Sequence, residues 1–263
     1  MSLAHAILLG LVQGLTEFLP VSSSGHLALI QHFLPGFSQP GLLFDVVLHL
    51  GTMVAVIVVF RADLGRLFSA PFNTSATGAG DRRLLLLLIA GSIPTAIIGL
   101  SFKDAIAGLF ANVNLIALML MVTGTLLFLA ERFRRPGRKE AKLTWSDAVV
   151  TGIAQGIAII PGISRSGSTI ATLLFKGVDG ETAARFSFLL ALPAVGGAAL
   201  LSLKDLDALV PGELPVYLAG AAVAMLAGLF SIRFLLQIIR RQRLIYFALY
   251  CWGVGGVFFA LTL

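Results

Sequence analysis

Charge is scarce in this sequence. Of 263 residues only 12% are Asp, Glu, Lys or Arg, about half the share of an ordinary soluble domain. Cysteine is nearly absent: Cys251 stands alone, which excludes an intrachain disulfide and any cysteine-built metal cluster. No Lys or Arg precedes Arg61, so the apolar start lacks the basic region of a signal peptide and is expected to be retained. What is abundant is apolar. Such residues make up 57% of the chain, and the mean hydropathy is +0.95. A soluble fold of this size cannot hide so much apolar surface, so the composition indicates a polytopic helical membrane protein. Disorder, a coiled coil and a secreted disulfide scaffold are excluded. The net charge of +6 does not indicate nucleic acid, because the basic residues sit in short loops between apolar runs, the pattern of cytoplasmic loops.

Runs suited to full crossings lie near residues 42–60, 84–101, 114–130, 184–203, 214–232 and 244–262. Their lengths match a hydrocarbon core of about 30 Å at about 1.5 Å per helical residue. Two stretches depart from that template. Residues 1–35 are interrupted at Pro20-Val-Ser-Ser-Ser-Gly-His26, and residues 146–175 at Pro161-Gly-Ile-Ser-Arg-Ser-Gly-Ser168. Short apolar pieces around a polar break predict re-entrant hairpins.

The segments 61–83, 131–147, 176–185 and 233–243 hold 16 of the 19 basic residues. The opposite loops hold Lys103 and Lys204, the latter outweighed by Asp205, Asp207 and Glu213. This asymmetry predicts six crossings with both termini outside. The first hairpin then enters from outside and the second from the cytoplasm. An internal repeat agrees: at an offset of 142, Gly10, Gln13 and Gly14 meet Gly152, Gln155 and Gly156, while Ser22, Ser24 and Gly25 meet Ser164, Ser166 and Gly167. The predicted fold is therefore all-α: a single integral membrane domain of about six transmembrane helices plus two re-entrant helix hairpins. It is arranged as an inverted-topology repeat of about 1–131 and 143–263. Broken helices in inverted repeats place a functional site near the midplane.

Ionisable groups at membrane depth mark such a site. Glu17, His26 and Arg165 are three. Gln13 and Glu17 share one helix face at i, i+4, and Ser23 and His26 share one at i, i+3 if a helix restarts after Pro20. The second break brings Ser164, Arg165, Ser166, Gly167 and Thr169. Helix N-termini with free N–H groups, hydroxyls and a two-pronged guanidinium suit phosphate. His26 has the chemistry of a nucleophile or a general acid/base. Gln13 and Glu17 offer oxygen ligands to Mg²⁺ or Ca²⁺. Arg165 as a purely structural partner of Glu17 is the competing reading. His5, His32 and His49 lie outside the breaks and read as structural. Asp45 reads as a solvated rim residue, and Trp145 and Trp252 as interface anchors.

The run Gln13-Gly-Leu-Thr-Glu17-Phe-Leu-Pro-Val-Ser-Ser23-Ser-Gly-His26 resembles the first signature of the undecaprenyl-diphosphate phosphatases, the bacterial family also called bacitracin-resistance proteins. Pro161-Gly-Ile-Ser164-Arg165-Ser-Gly-Ser-Thr169 is similar to their second signature, PGxSRSxxT, at every fixed position. The resemblance covers nearly the whole chain. It implies hydrolysis of undecaprenyl diphosphate, the polyprenyl diphosphate lipid carrier of wall polymers, to undecaprenyl phosphate and inorganic phosphate. It further implies a bacterial plasma-membrane location, a site facing the outer side, a divalent cation (Mg²⁺ or Ca²⁺), and membrane lipids but no nucleic acid as partners. By the same resemblance Gln13 and Glu17 take metal-linked positions, and Gln13 replaces a family Glu with one negative charge fewer. His26 takes the essential histidine position and Ser23 a nucleophile position, while Ser164, Arg165, Ser166, Gly167 and Thr169 form the phosphate-binding signature. His49 stands where many members carry Gln.

Type-2 phosphatidic acid phosphatases share Ser-Gly-His, but their KxxxxxxRP motif and second histidine are missing here. A phosphohistidine, a phosphoserine and direct attack by water all fit the residues, and a homodimer is compatible with them. The rival reading is a transporter or flippase of a lipid phosphate or another anion, which the broken-helix layout suits.

Overall fold

The computed structural model describes residues 1–35, 37, 43–134, 137–202, 212–241 and 243–262. These form twelve α-helices and no strand. Of the loop residues weighed above, Lys204, Asp205 and Asp207 lie outside the described residues, as do Arg135, Leu42 and residue 203.

The first predicted hairpin comprises α1 (Leu3–Thr16) and α2 (Ser23–Phe33). Ser2 caps α1 by accepting from the His5 N–H, and Ser22 caps α2 by accepting from the Gly25 N–H. Next come α3 (Leu43–Val59), α4 (Arg61–Ser69), α5 (Ala76–Ser101), α6 (Lys103–Leu109) and α7 (Val113–Arg132). The second predicted hairpin comprises α8 (Trp145–Ile157) and α9 (Arg165–Phe175), capped by Thr144 and Ser164. The chain closes with α10 (Gly180–Ser202), α11 (Leu214–Arg240) and α12 (Ile245–Leu261).

Among the described residues four helices are long and apolar enough to cross a membrane: Gly78–Ser101 of α5, α7, α10 and α11. A fifth span results if α3 is taken with Arg61–Phe72, bent against it by 77°. The protein is thus a multi-pass membrane protein. Several regions read as loops prove to be partly helical, among them 176–185, where α10 starts at Gly180. Residues 61–83 contain α4 and the start of α5, and residues 233–243 contain the last turns of α11. Helices continue past the hydrocarbon core into the headgroup zone, where Arg240 is exposed and Arg82 and Arg83 donate to the Asn73 and Leu143 carbonyls. Short α6 likewise occupies what read as a loop.

Apolar side chains gain nothing from leaving lipid for a helix interface, so close packing of small residues carries helix association here. α1 lies on α11 and α8 lies on α5. At the first crossing a Cβ on Gly10 would run into the Gly220 carbonyl; at the second, one on Gly152 would run into that of Gly91. Gly10 and Gly152 are also partners in the 142-residue repeat. Where the helices diverge, Phe18 meets Phe188 edge-on at 5.5 Å within a core that includes Ile170, Phe186 and Leu190.

The basic segment after α7 is fastened under the second hairpin. Arg138 grips Asp147 with two nitrogens at 3.0 and 3.1 Å and donates to the Lys176 carbonyl at 2.8 Å. Beside it, burial opposes charge on Asp179. Hydrogen bonds from Thr182 and the nearby Lys139 still hold its carboxyl below the usual range.

The carbonyl at Gly91 is backbone and cannot step aside. Gly152→Ala is expected to force α8 off α5 and to cost about 1–3 kcal/mol, the usual range for overpacking. Gly253→Ala, where a Cβ meets nothing within 4 Å, is expected to leave stability unchanged. Melting temperatures of both variants in detergent check this, and equal values would refute the packing argument.

Candidate active site

α1 ends at Thr16, and Glu17 is its C-cap. Pro20 cannot continue the helix because it lacks an N–H and its ring clashes with the preceding turn. The chain then turns through Ser22, whose φ of +68° is the only positive value at a non-glycine among the described residues. Such a conformation costs of order 1–3 kcal/mol and persists only where its surroundings enforce it. It aims the Ser22 carbonyl back at α2, where that oxygen accepts from both the backbone N–H and Nδ1 of His26, at 3.1 and 2.8 Å.

The second break meets the first. A Cβ on Gly25 would lie 3.0 Å from Gly162 Cα, and one on Gly167 would lie 3.3 Å from Pro20 Cβ. Ser166 donates to the Leu19 carbonyl at 3.2 Å. Gly162 has φ +92°, in the region that favours glycine. Its carbonyl accepts from Thr123 of α7 at 3.0 Å.

At this junction a single carboxylate gathers the polar groups. Arg165 Nη2 is paired with Glu17 Oε1. Glu17 Oε2 accepts from Ser23 Oγ at 2.5 Å and from Gln13 Nε2 at 2.9 Å, and His49 Nε2 faces it at 3.4 Å. Gln13 and Glu17 are buried, at 0% and 6% exposure. His26 stands in the same break, one turn along α2 from Ser23. Two buried atoms at this centre have no hydrogen-bond partner among the described residues: Gln13 Oε1 and Arg165 Nη1.

The structure therefore unites Gln13, Glu17, Ser23 and Arg165 directly. The other signature residues serve the break that presents Arg165. Ser164 Oγ accepts from the Gly167 N–H at 3.0 Å. Thr169 Oγ1 lies 2.9 Å from the Arg165 carbonyl and 2.5 Å from Ser187 Oγ of α10.

Three readings of single residues need correction. His49 is not remote from the site. α3 passes the first break, and the His49 ring, held by Nδ1 on the Asp45 carbonyl at 2.7 Å, turns Nε2 to Glu17. Asp45 is buried rather than a solvated rim residue and accepts from Gln31 Nε2 at 2.7 Å. Trp252 donates from Nε1 to Thr125 in the middle of α7 at 3.1 Å, so it packs two helices rather than marking the interface. Thr52, 3.4 Å from Gln13 Nε2, and Tyr250, 2.9 Å from His26 Nε2, were not foreseen. Thr52 lies three residues after His49 on α3, a spacing that puts both on one face. Tyr250 carries no signal in the sequence, because its contact spans 224 positions.

Comparison with known proteins places this site in context. The model of the family described as bacitracin resistance protein BacA matches residues 6–257. A curated protein of Syntrophotalea carbinolica named undecaprenyl-diphosphatase is 63% identical over 262 residues, covering 100% of both chains. Proteins of the same name from Desulforapulum autotrophicum and Carboxydothermus hydrogenoformans are 46% and 45% identical. They cover 97% and 95% of this chain and 96% and 94% of their own. With its two breaks joined at Glu17 and Arg165 and a match that spans almost its whole length, the chain belongs to the bacitracin resistance protein BacA family.

Proposed function

We infer that this chain hydrolyses undecaprenyl diphosphate to undecaprenyl phosphate and inorganic phosphate, returning the lipid carrier to cell-wall synthesis. The observation that carries the chemistry is the pair of unsatisfied atoms at Glu17: a buried donor on Arg165 and a buried acceptor on Gln13. Each costs about 1–3 kcal/mol unless a ligand meets it. A phosphate oxygen suits the first and a cation the second. The names of the relatives supply the lipid diphosphate. Carriage of an anion, the rival reading, has no need of a hydroxyl held 2.5 Å from a carboxylate, whereas hydrolysis through a serine nucleophile does.

In this reading Ser23 Oγ attacks the terminal phosphorus while its proton passes to Glu17. The bridging P–O bond breaks and undecaprenyl phosphate leaves. Water then attacks the phosphoserine and gives a proton to His26 Nε2. Ser23 recovers its own proton from Glu17, His26 passes the water's proton to the phosphate, and inorganic phosphate departs. Arg165 turns from Glu17 to the phosphate oxygens and stabilises their charge in both steps. Ser164, Ser166, Gly167 and Thr169 hold the mount from which it reaches. A divalent cation, Mg²⁺ or Ca²⁺, fits the orphaned Gln13 Oε1 beside Glu17, and those two residues would hold it. Bound there, it would offset diphosphate charge that one guanidinium cannot balance.

The arrangement extends to six crossings, two re-entrant hairpins and inverted halves 1–131 and 143–263. Support comes from the repeat offset, which carries α1 onto α8 and α2 onto α9, and from the matched glycine crossings. The site opens to the outer face of the bacterial plasma membrane through the first hairpin. The Arg138–Asp147 anchorage beneath the second hairpin closes the cytoplasmic side.

The test of function is phosphate release from undecaprenyl diphosphate by purified protein in detergent. Arg165→Lys keeps the charge but loses the fork, so activity is expected to fall at least about 10²-fold. A near-wild-type rate would leave Arg165 a structural partner of Glu17 only. EDTA is expected to abolish release by the wild type, and Glu17→Gln to lower both the rate and the response to added Mg²⁺ or Ca²⁺. An unchanged metal titration in that variant would remove Glu17 from the ligand set. With Cys251→Ser as background, a cysteine replacing Ser24 is expected to react with a membrane-impermeant thiol reagent added outside intact cells. Undecaprenyl diphosphate should protect it. Labelling only from the cytoplasmic face would reverse the orientation.

A further inference from the structure

The mechanism needs the Nε2 lone pair of His26, and that atom already has a partner. His26 Nδ1 lies 2.8 Å from the Ser22 carbonyl. A carbonyl oxygen only accepts, so Nδ1 carries the ring hydrogen and the neutral ring has its lone pair on Nε2. Tyr250 Oη lies 2.9 Å from Nε2 and therefore donates to it. The two rings lie side by side, with centroids 5.6 Å apart and planes 7° from parallel. Among the described residues Tyr250 is the only side chain on Nε2. It comes from α12, an element that supplies none of the groups around Glu17. Its ring is half exposed, at 45%, while its hydroxyl reaches inward, so it stands between His26 and the lipid side of the bundle.

We propose that Tyr250 is a positioning residue for the hydrolysis: its hydroxyl and ring hold His26 in one orientation and cover Nε2 until the lipid diphosphate enters. The proposal rests on His26 acting as the proton acceptor described above. Ser22 constrains one edge of the imidazole through its strained carbonyl; Tyr250 constrains the other edge. A ring held at Nδ1 alone still rotates about that bond, and small misplacement of a catalytic group costs rate steeply. A phenol is a much weaker acid than an imidazolium, so the hydroxyl occupies the lone pair without protonating it. When substrate arrives, the hydroxyl gives up Nε2 and the attacking water takes its place. No covalent bond to Tyr250 forms or breaks.

Tyr250→Phe removes one oxygen and keeps the ring. Two quantities are measured on protein in detergent. One is kcat and KM for phosphate release from undecaprenyl diphosphate. The other is the rate at which diethyl pyrocarbonate modifies His26, read by mass mapping of its peptide. The variant is expected to lose about 10-fold in kcat with KM within about twofold, as for other partners that orient a functional histidine. His26 is expected to be modified several-fold faster, because the lone pair is uncovered. Tyr250→Leu is expected to show both changes more strongly and carries the test if the Phe variant does not fold. Tyr246→Phe, an exposed position one turn away, should change neither quantity. Wild-type kcat and wild-type His26 reactivity in Tyr250→Phe would overturn the proposal. So would lost activity with unchanged His26 reactivity, which would place the hydroxyl's role elsewhere. Failure of the wild type to release phosphate would instead sink the substrate reading, and the modification rates alone would then judge the Tyr250–His26 contact.

Discussion

The ion pair between Glu17 and Arg165 is the constraint on which the rest of the site depends. Its partners lie 148 positions apart in the chain, at the tips of two broken helices. Removing either partner of such a pair leaves a buried charge uncompensated, at a cost of about 3–5 kcal/mol. The breaks must therefore come together, and the glycines at positions 25, 162 and 167 let their backbones approach closely enough. The strained Ser22, the Thr123 bond to the second break and the Ser166 bond to the first all serve that meeting.

The same pair explains why the site is poised rather than satisfied. Glu17 takes hydrogen bonds from both sides of the junction, yet among the described residues one nitrogen of Arg165 and one oxygen of Gln13 have no partner. In a low-dielectric interior these are the places where a ligand gains most. A diphosphate brings more negative charge than one guanidinium can balance. In the proposed reaction, the Gln at position 13 would offer a cation an oxygen without adding a second carboxylate to repel the substrate. His49 Nε2, at 3.4 Å, faces the Glu17 carboxylate.

Much of the site was legible before the structure. Gln13, Glu17, Ser23 and Arg165 were picked out because polar and charged residues stand out against a nearly uncharged chain, and the structure puts all four around one point. The serines after Pro20 and at the second break mark helix starts through ordinary capping chemistry, and Ser22 and Ser164 prove to be the caps. Other residues were misread for one reason. His49 and Asp45 sit inside an apolar run whose pattern fits a plain crossing, and nothing local distinguishes a histidine facing lipid from one facing a carboxylate. Trp252 was assigned to the interface from residue type, but its indole N–H found Thr125 instead. The extents of α4, α5 and α11 were underestimated because a hydropathy run ends at the hydrocarbon boundary while a helix continues into the headgroup zone.

The sequence by itself determined that the chain is helical and lies in a membrane, where its helices are interrupted, and which few ionisable groups must find partners there. Those properties follow from local composition and spacing, and from the rule that buried charge and backbone must be satisfied. Only the tertiary structure decided who the partners are. That Arg165 pairs with Glu17, that α3 turns His49 toward the same carboxylate, and that Tyr250 closes over His26 all depend on helices far apart in the chain packing side by side. In lipid, backbone contact between small residues such as Gly10 with Gly220 and Gly152 with Gly91 settles that packing, and no local pattern around Tyr250 or His49 encodes it.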